Sequence, residues 1–254
     1  MDARRAVVTG ASGGVGRALC AALAARGVSV LALGRDAARL AECEAANPEL
    51  ISGLAVELTD PGASERVRAR VEQWGQLSWL VHSAAVVEPI ASLEQLERRD
   101  FSRAFAINVE APLFLTQQLL GSLGAGARIL HLSSGAAHTP LPGCLSYCSS
   151  KAAFHMIYRV LQLELAAKRI AVGSASPGSV DTDMQTTLRE ADPSVLVDVE
   201  RFRELERRGA LVPRARAARF LCWLLLDCDD ERFARRDWSI HDDELKPGWI
   251  DSST

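Results

Sequence analysis

Three residues close together in the chain, Ser134, Tyr147 and Lys151, are of types that could do chemistry as a set. They lie in the stretch from Ser133 to Lys151, which follows an apolar run, Arg128-Ile129-Leu130-His131-Leu132. That run predicts a buried strand, and a long helix is expected over 152–168. Tyr147 and Lys151 are four positions apart at the start of that helix, so they share one face, a turn apart. An ammonium beside a phenol favours the phenolate and should draw its pKa below the ordinary value of about 10. A phenol tuned in this way serves as a general acid or base near neutral pH. Ser134, just past the strand end, offers a second hydroxyl to the same oxygen.

These groups need elements that bring a reactant to them. The chain opens with a short strand run, Ala6-Val7-Val8, then Thr9-Gly10-Ala11-Ser12-Gly13-Gly14-Val15-Gly16, then an alanine-rich helix closed at Gly27. A glycine turn between strand and helix lets the backbone approach a pyrophosphate at the helix N-terminus, where free N–H groups and the positive dipole end favour an anion. Gly10, Ser12, Gly13, Gly14, Val15 and Gly16 are therefore expected around phosphate. The second strand, Val28 to Leu33, ends at Gly34-Arg35, where a carboxylate would mark a ribose 2′-hydroxyl. A guanidinium suits a 2′-phosphate instead, through forked charge-assisted hydrogen bonds. Asp36 precedes a helix over 37–46 and reads as its N-cap. The expected cofactor is NADP(H).

Alternation continues with strands over 51–56 and 77–82, and a polar helix from Asp60 to Trp74. Broken helical patterning follows from Leu93 to Leu120, and a sixth strand over 170–175 ends at Ser176-Pro177-Gly178. This βαβα rhythm predicts an α/β fold, a Rossmann-type doubly wound parallel sheet with helices on both faces. Ligands bind at the carboxyl ends of such strands, so Gly10, Arg35, Ala84, Ser134 and Gly178 should line one rim. From Met184 to Pro213 the pattern is irregular, and a substrate lid is expected there. Arg201 to Arg208 reads as a solvated helix face. A helix over 214–226 and a last strand around Trp238 complete a single domain over 1–254.

With 254 residues, 48% of them hydrophobic, the chain can bury one sizeable core. A net charge of −3 gives no general attraction to nucleic acid or to an anionic membrane. No apolar run is long enough to span a bilayer, and the N-terminus lacks an apolar signal core, so a cytoplasmic location is expected. The six cysteines show no CxxC pair and no zinc-ligand rhythm. They are read as reduced core residues, and no metal is expected.

Taken in order, Thr9-Gly10-x3-Gly14-x-Gly16, Asn108, Ser134, Tyr147-x3-Lys151 and Pro177-Gly178 resemble the short-chain dehydrogenase/reductase family over nearly the whole chain. The resemblance implies an NADPH-dependent carbonyl reductase. Tyr147 would protonate the carbonyl oxygen, Lys151 would lower the Tyr147 pKa and hold the nicotinamide ribose, and Ser134 would bind the substrate oxygen. Asn108 would hold a water linking Lys151 to solvent. Thr182 would meet the carboxamide, with Pro177, Gly178, Val180 and Met184 around the nicotinamide. Glu57 and Leu58 would lie at the adenine and Ala84 at the adenosine ribose. His82-Ser83-Ala84-Ala85 replaces the family's Asn-Asn-Ala-Gly, and Glu57 its Asp, which departs from the usual adenosine contacts.

Within that family the segments 147–153, 177–185 and 209–212 and the pair Asp237-Trp238 are similar to sepiapterin reductases and bacterial diketone reductases. By that similarity Asp237 would join Ser134, Tyr147 and Gly178 at the substrate and would suit the paired N–H donors of a pterin. Without it, a ketone or 1,2-diketone is the better fit. The alternative is a non-catalytic NADP-binding sensor or interaction protein on the same fold. It leaves the complete Ser134–Tyr147–Lys151 set unexplained. Apolar-striped helices around 105–120 and 152–167 are expected to pair copies as a homodimer or homotetramer.

Overall fold

Short aliphatic runs, each followed by a helix that must cross back over the sheet, leave the chain little choice but parallel pairing. The computed structural model describes residues 4–244 and 246–250. It has seven parallel strands in the order β3-β2-β1-β4-β5-β6-β7. These are β1 (Arg5–Thr9), β2 (Ser29–Gly34), β3 (Ile51–Ala55), β4 (Leu77–His82), β5 (Leu123–Leu132), β6 (Ala171–Ser176) and β7 (Asp237–Ser239). The order reverses direction between β1 and β4, and such a switch opens a crevice at the strand ends.

Alternation along each strand sends side chains to two separate cores. Ala6, Val8, Val30 and Ala32 face one layer, where α1 (Gly14–Ala25) and α9 (Arg214–Leu226) contribute Leu19, Leu23, Phe220 and Leu221. Val7, Leu31, Leu33, Leu80 and Ile129 face the other. There α3 (Ala63–Trp74), α5 (Ala111–Leu119) and α6 (Leu145–Ala166) supply Val67, Val71, Leu115, Leu119, Tyr158 and Leu165. With helices on both faces, the sheet is buried on both sides and its strands read as continuous apolar runs.

Three helical segments differ from the sequence expectation. First, α6 begins at Leu145 rather than near Ala152, so Tyr147 and Lys151 lie well inside it. Its buried stripe is Ser146, Tyr147, Ser150, Lys151, Phe154 and Tyr158, and the polar members hide the apolar period. Second, patterning from Leu93 resolves into α4 (Arg98–Phe105), a π-helical turn (Ala106–Glu110) and α5. Leu93 itself is exposed, and the first helical turn starts five residues later. Third, the lid segment contains two helices, α7 (Asp183–Glu190) and α8 (Val199–Arg207), rather than irregular chain. Leu188, Leu196, Val199 and Phe202 pack there in a small third core with Val87, Cys144 and Tyr147. Of the remaining helices, α2 (Ala37–Ala45) follows β2, and α10 (Asp230–Ala234) and α11 (Lys246–Trp249) flank β7. Among the described residues, no helix is long and apolar enough to cross a membrane.

Candidate active site

At the carboxyl ends of the strands lies a cleft of about 830 Å³, within the size range of cofactor sites. Ser134, Tyr147 and Lys151 line one part of it, and the glycine turn lines another. β5 delivers Ser134, whose Oγ accepts from the Ala136 N–H at 3.2 Å and so ends the strand in a short 3₁₀ turn. Helix α6 delivers Tyr147 and Lys151 a turn apart, with the Lys151 nitrogen 5.8 Å from the Tyr147 ring centroid. Lys151 donates to the Leu132 carbonyl at 2.9 Å.

The electrostatics here differ from the expectation drawn from spacing alone. Burial pushes the Tyr147 phenol above its ordinary value, and a hydrogen bond with Ser134 opposes the shift. Lys151 does not bring the phenol down. Burial instead draws Lys151 itself down to about 8, against a pull from the Asp237 carboxylate. Desolvation disfavours both charged forms and is the largest influence on each.

Asn108 sits in the π-helical turn and is buried. Its Oδ1 accepts from the Val86 N–H, and its Nδ2 donates to the Val86 carbonyl and to Ser150 Oγ, each at 2.9 Å. Ser150 in turn donates to the Tyr147 carbonyl at 2.9 Å. The amide therefore ties the chain after β4 to the turn of α6 that carries Tyr147. This clamp is visible only in three dimensions.

The other part of the cleft suits a dinucleotide. Gly13 caps α1 without a side-chain acceptor, so the first-turn N–H groups have no capping side chain. Gly10 has φ +68°, and a Cβ there would stand 2.8 Å from the backbone of Ala84, so only glycine lets β1's turn lie against the chain after β4. Thr9 Oγ1 accepts from the Ser83 and Ala84 N–H groups at 3.0 and 3.1 Å, which fixes that chain despite the changed tetrapeptide. His82 is buried and bonded to Thr116 Oγ1 at 2.7 Å. Ser12, Val15, Gly16, Arg35, Glu57 and Leu58 also line this end of the cleft. Asp36 is the N-cap of α2, accepting from the Arg39 N–H at 3.0 Å. Around the expected nicotinamide position Pro177, Gly178, Val180, Thr182 and Met184 line the wall.

Two assignments change. Asp237 is absent from the cleft lining and lies behind it, accepting from Ser133 Oγ at 2.7 Å and meeting His138 Nε2 at 2.9 Å. Its place at the start of β7, beside β6, aims the carboxylate at the segment behind Ser134. Arg201 and Phe202 line the cleft, whereas the 201–208 segment reads as a solvated face. The rest of that segment does pair outward, as in Arg207 with Glu204 at 2.7 Å. Arg39 also lines the cleft and pairs with Asp183 at 2.6 Å, which sequence reasoning missed. Its position four residues beyond Arg35, on the first turn of α2, was the available signal.

Residues 4–193 match the family model described as short chain dehydrogenase. The chain belongs to the short-chain dehydrogenase/reductase family. It is 36% identical over 188 residues to the D-erythrulose reductase of Gallus gallus, covering 71% of this chain and 73% of that one. It is 28% identical over 225 residues to the benzil reductase, (S)-benzoin forming, of Bacillus subtilis, covering 81% and 86%. Among solved structures, the angucycline C-6 ketoreductase LanV with bound NADP superposes with a TM-score of 0.79 at 27% identity, covering 93% of each chain. The chain is thus an oxidoreductase of the CH–OH/C=O type, a class that uses a nicotinamide cofactor.

Proposed function

We propose that this oxidoreductase is an NADPH-dependent carbonyl reductase acting on a small ketone or 1,2-diketone. The observation that carries the reading is the placement of Ser134, Tyr147 and Lys151 on one wall of a cleft that also holds an uncapped helix N-terminus behind a glycine turn. When bound, the reduced nicotinamide supplies a hydride to the carbonyl carbon. The protein's own groups handle the oxygen, where negative charge builds. Ser134 and Tyr147 both donate to that oxygen, and Tyr147 gives up its proton. Its raised pKa keeps the phenol protonated before the reaction, as an acid requires. Lys151, held by the Leu132 carbonyl, keeps a positive charge near the phenolate as it forms. Asn108 acts as a positioning residue through Val86 and Ser150.

Preference for NADPH over NADH rests on Arg35 and on the occupation of Asp36. Asp36 also lines the cleft, but its Oδ1 is committed to capping α2 and its Oδ2 lies 3.7 Å from Arg39. Arg35 pairs with Glu57 at 3.4 Å, with both side chains substantially exposed, an arrangement weak enough to yield to a phosphate. A sugar ketone or a diketone is favoured by the activities named for the two relatives. A pterin loses its anchor with Asp237 turned away from the cleft.

The test is NADPH consumption across a carbonyl panel of erythrulose, benzil and sepiapterin, with Tyr147→Phe as the control. Turnover of one class by the parent, reduced about 10²–10⁴-fold in Tyr147→Phe, supports the reading. A parent that binds NADPH yet reduces nothing on the panel, like its Tyr147→Phe variant, would point to a sensor.

A further inference from the structure

Behind the catalytic wall, three chain segments meet at one point. The segment after β5 brings His138, helix α6 brings His155, and the first residue of β7 brings Asp237. One ligand-type atom from each lies within 4.8 Å of the other two. His138 Nε2 is 2.9 Å and His155 Nδ1 3.6 Å from the same carboxylate oxygen, Oδ2 of Asp237. The imidazoles meet edge to face, with centroids 4.5 Å apart. Two polar atoms of this set are buried without a hydrogen-bond partner, His155 Nδ1 and Asp237 Oδ1. Buried polar atoms left unmatched are costly, and a bound ion is one of the standard ways to satisfy them.

We infer that His138, His155 and Asp237 form a binding site for a divalent transition-metal ion of the zinc type. Two imidazole nitrogens and one carboxylate oxygen are a common three-ligand set for such an ion, with the fourth position left to water. Donors at about 2.0–2.2 Å from a tetrahedral ion stand roughly 3.3–3.5 Å apart. The two contacts to Asp237 bracket that separation, and a small turn of the half-exposed His138 closes the third. His138 has 49% of its side chain exposed, which gives the ion a route in, while Asp237 is 12% exposed and holds the inner side. Ser133 donates to the same oxygen, Asp237 Oδ2, at 2.7 Å, and so fixes the orientation of the carboxylate.

The surrounding charges set the affinity. Lys151 and Arg159, each four residues from His155 on α6, lie near enough to act on the cluster and oppose a cation. The ring of Tyr158 covers His155 edge-on at 5.0 Å. For the His138 ring to ligate through Nε2, the hydrogen that links it to Asp237 must move to Nδ1, the other ring nitrogen. An ion here would pin α6, the β5 exit and β7 together, next to Ser134 but outside the cleft.

The experiment uses the full chain stripped with EDTA and dialysed. Zinc chloride is titrated calorimetrically, and cobalt chloride is followed by its ligand-field absorption. The expected result is one ion per chain with a low-symmetry or tetrahedral cobalt spectrum. Affinity should fall at least about tenfold in His138→Ala and in Asp237→Asn, since even supporting contacts around a metal are worth about 10–100-fold. His138→Ala is a surface change and should fold normally, which circular dichroism checks. Cys144 and Cys148 remain in both variants, so zinc held by thiols would persist in them. No binding by the parent, or equal binding by parent and His138→Ala, would overturn the site.

Discussion

Lys151 donates to the carbonyl of Leu132 at 2.9 Å, so the side chain one turn beyond Tyr147 is anchored to the end of the strand that delivers Ser134. The anchor is costly. Burial lowers the ammonium from an ordinary 10.5 to about 8 in the folded chain. Between those values the unfolded chain binds the proton and the folded chain does not, so stability rises with pH across that window. Below about 8 the full penalty, on the order of 3 kcal/mol by this shift, is present. Lys151→Met removes it and forfeits one hydrogen bond worth about 1 kcal/mol. The variant should therefore be more stable at pH 7 by roughly 1–2 kcal/mol, yet lack reductase activity. Denaturant melts of both proteins at pH 7 and pH 10 check this, because the gain should shrink at the higher pH.

The same groups predict the pH dependence of reduction. Tyr147 stays protonated through neutrality because burial raises its pKa. Lys151 carries its charge only below about 8. The profile of kcat/KM for carbonyl reduction should be level on the acid side and fall as pH rises through about 8. Initial rates at saturating NADPH across pH 6 to 10 give the profile. A rate that climbs with pH through neutrality would assign Tyr147 the role of base instead.

Arg35 should decide the cofactor, with Arg39 in support. Both line the cleft, and Arg39 now faces Asp183 at 2.6 Å from the start of α7. A hydrogen bond to a charged group contributes about 1.5–3 kcal/mol, so Arg35→Ala should weaken NADPH binding by roughly 10–100-fold. NADH binding should change little. Fluorescence titrations with both cofactors measure the ratio, and an unchanged preference in Arg35→Ala would remove the arginine from the 2′-phosphate. Arg39→Ala should show the same sign with a smaller effect, since its guanidinium must first leave Asp183.

Much of the fold was legible because parallel strands buried on both faces are plain aliphatic runs, such as Val28 to Leu33 and Leu77 to His82. The glycine turn, Arg35, Ser134, Tyr147 and Lys151 were legible as types at strand ends, and the structure gathers them on one cleft. Two things were hidden. Helix α6 buries Ser146, Ser150 and Lys151, so its true start is masked by polar residues on its inner stripe. Arg39, Arg201 and Asp237 depend on which way a helix or edge strand turns its side chains, and spacing along one segment carries no information about its neighbours. Asp237 shows the cost: its carboxylate is absent from the cleft lining and faces Ser133 and His138 instead.

His82 stands where the family has asparagine, and it carries a pH liability that asparagine would not. The ring is buried against Thr116 and Phe154. Burial lowers its pKa from 6.5 to about 3. Below 6.5 the unfolded chain takes up a proton that the folded chain refuses, so stability falls as the pH drops toward 3. The loss from this one residue reaches several kcal/mol by the size of the shift. Thermal melts from pH 7 to pH 4 should show Tm dropping in the parent and dropping less in His82→Asn. Equal slopes would mean that the ring escapes protonation by another route, such as local opening.

The outer faces of α5 and α6 carry the last prediction. Phe114, Met156, Val160 and Leu163 are exposed at 51%, 54%, 44% and 81%, on the two helices expected from sequence to pair copies of the chain. Apolar residues scattered singly on a surface mean little, but Met156, Val160 and Leu163 fall on one stripe of α6 at helical spacing. A two-fold axis would bring that stripe against itself and bury it. We expect a homodimer or a homotetramer through this face. Replacing Val160 and Leu163 together with Glu should place like charges opposite one another across the axis and shift the protein to monomers in size-exclusion chromatography with light scattering. The fold should survive, since neither side chain belongs to any of the three cores, and far-ultraviolet circular dichroism would show this. A variant that keeps the parent's mass would move the interface to another face.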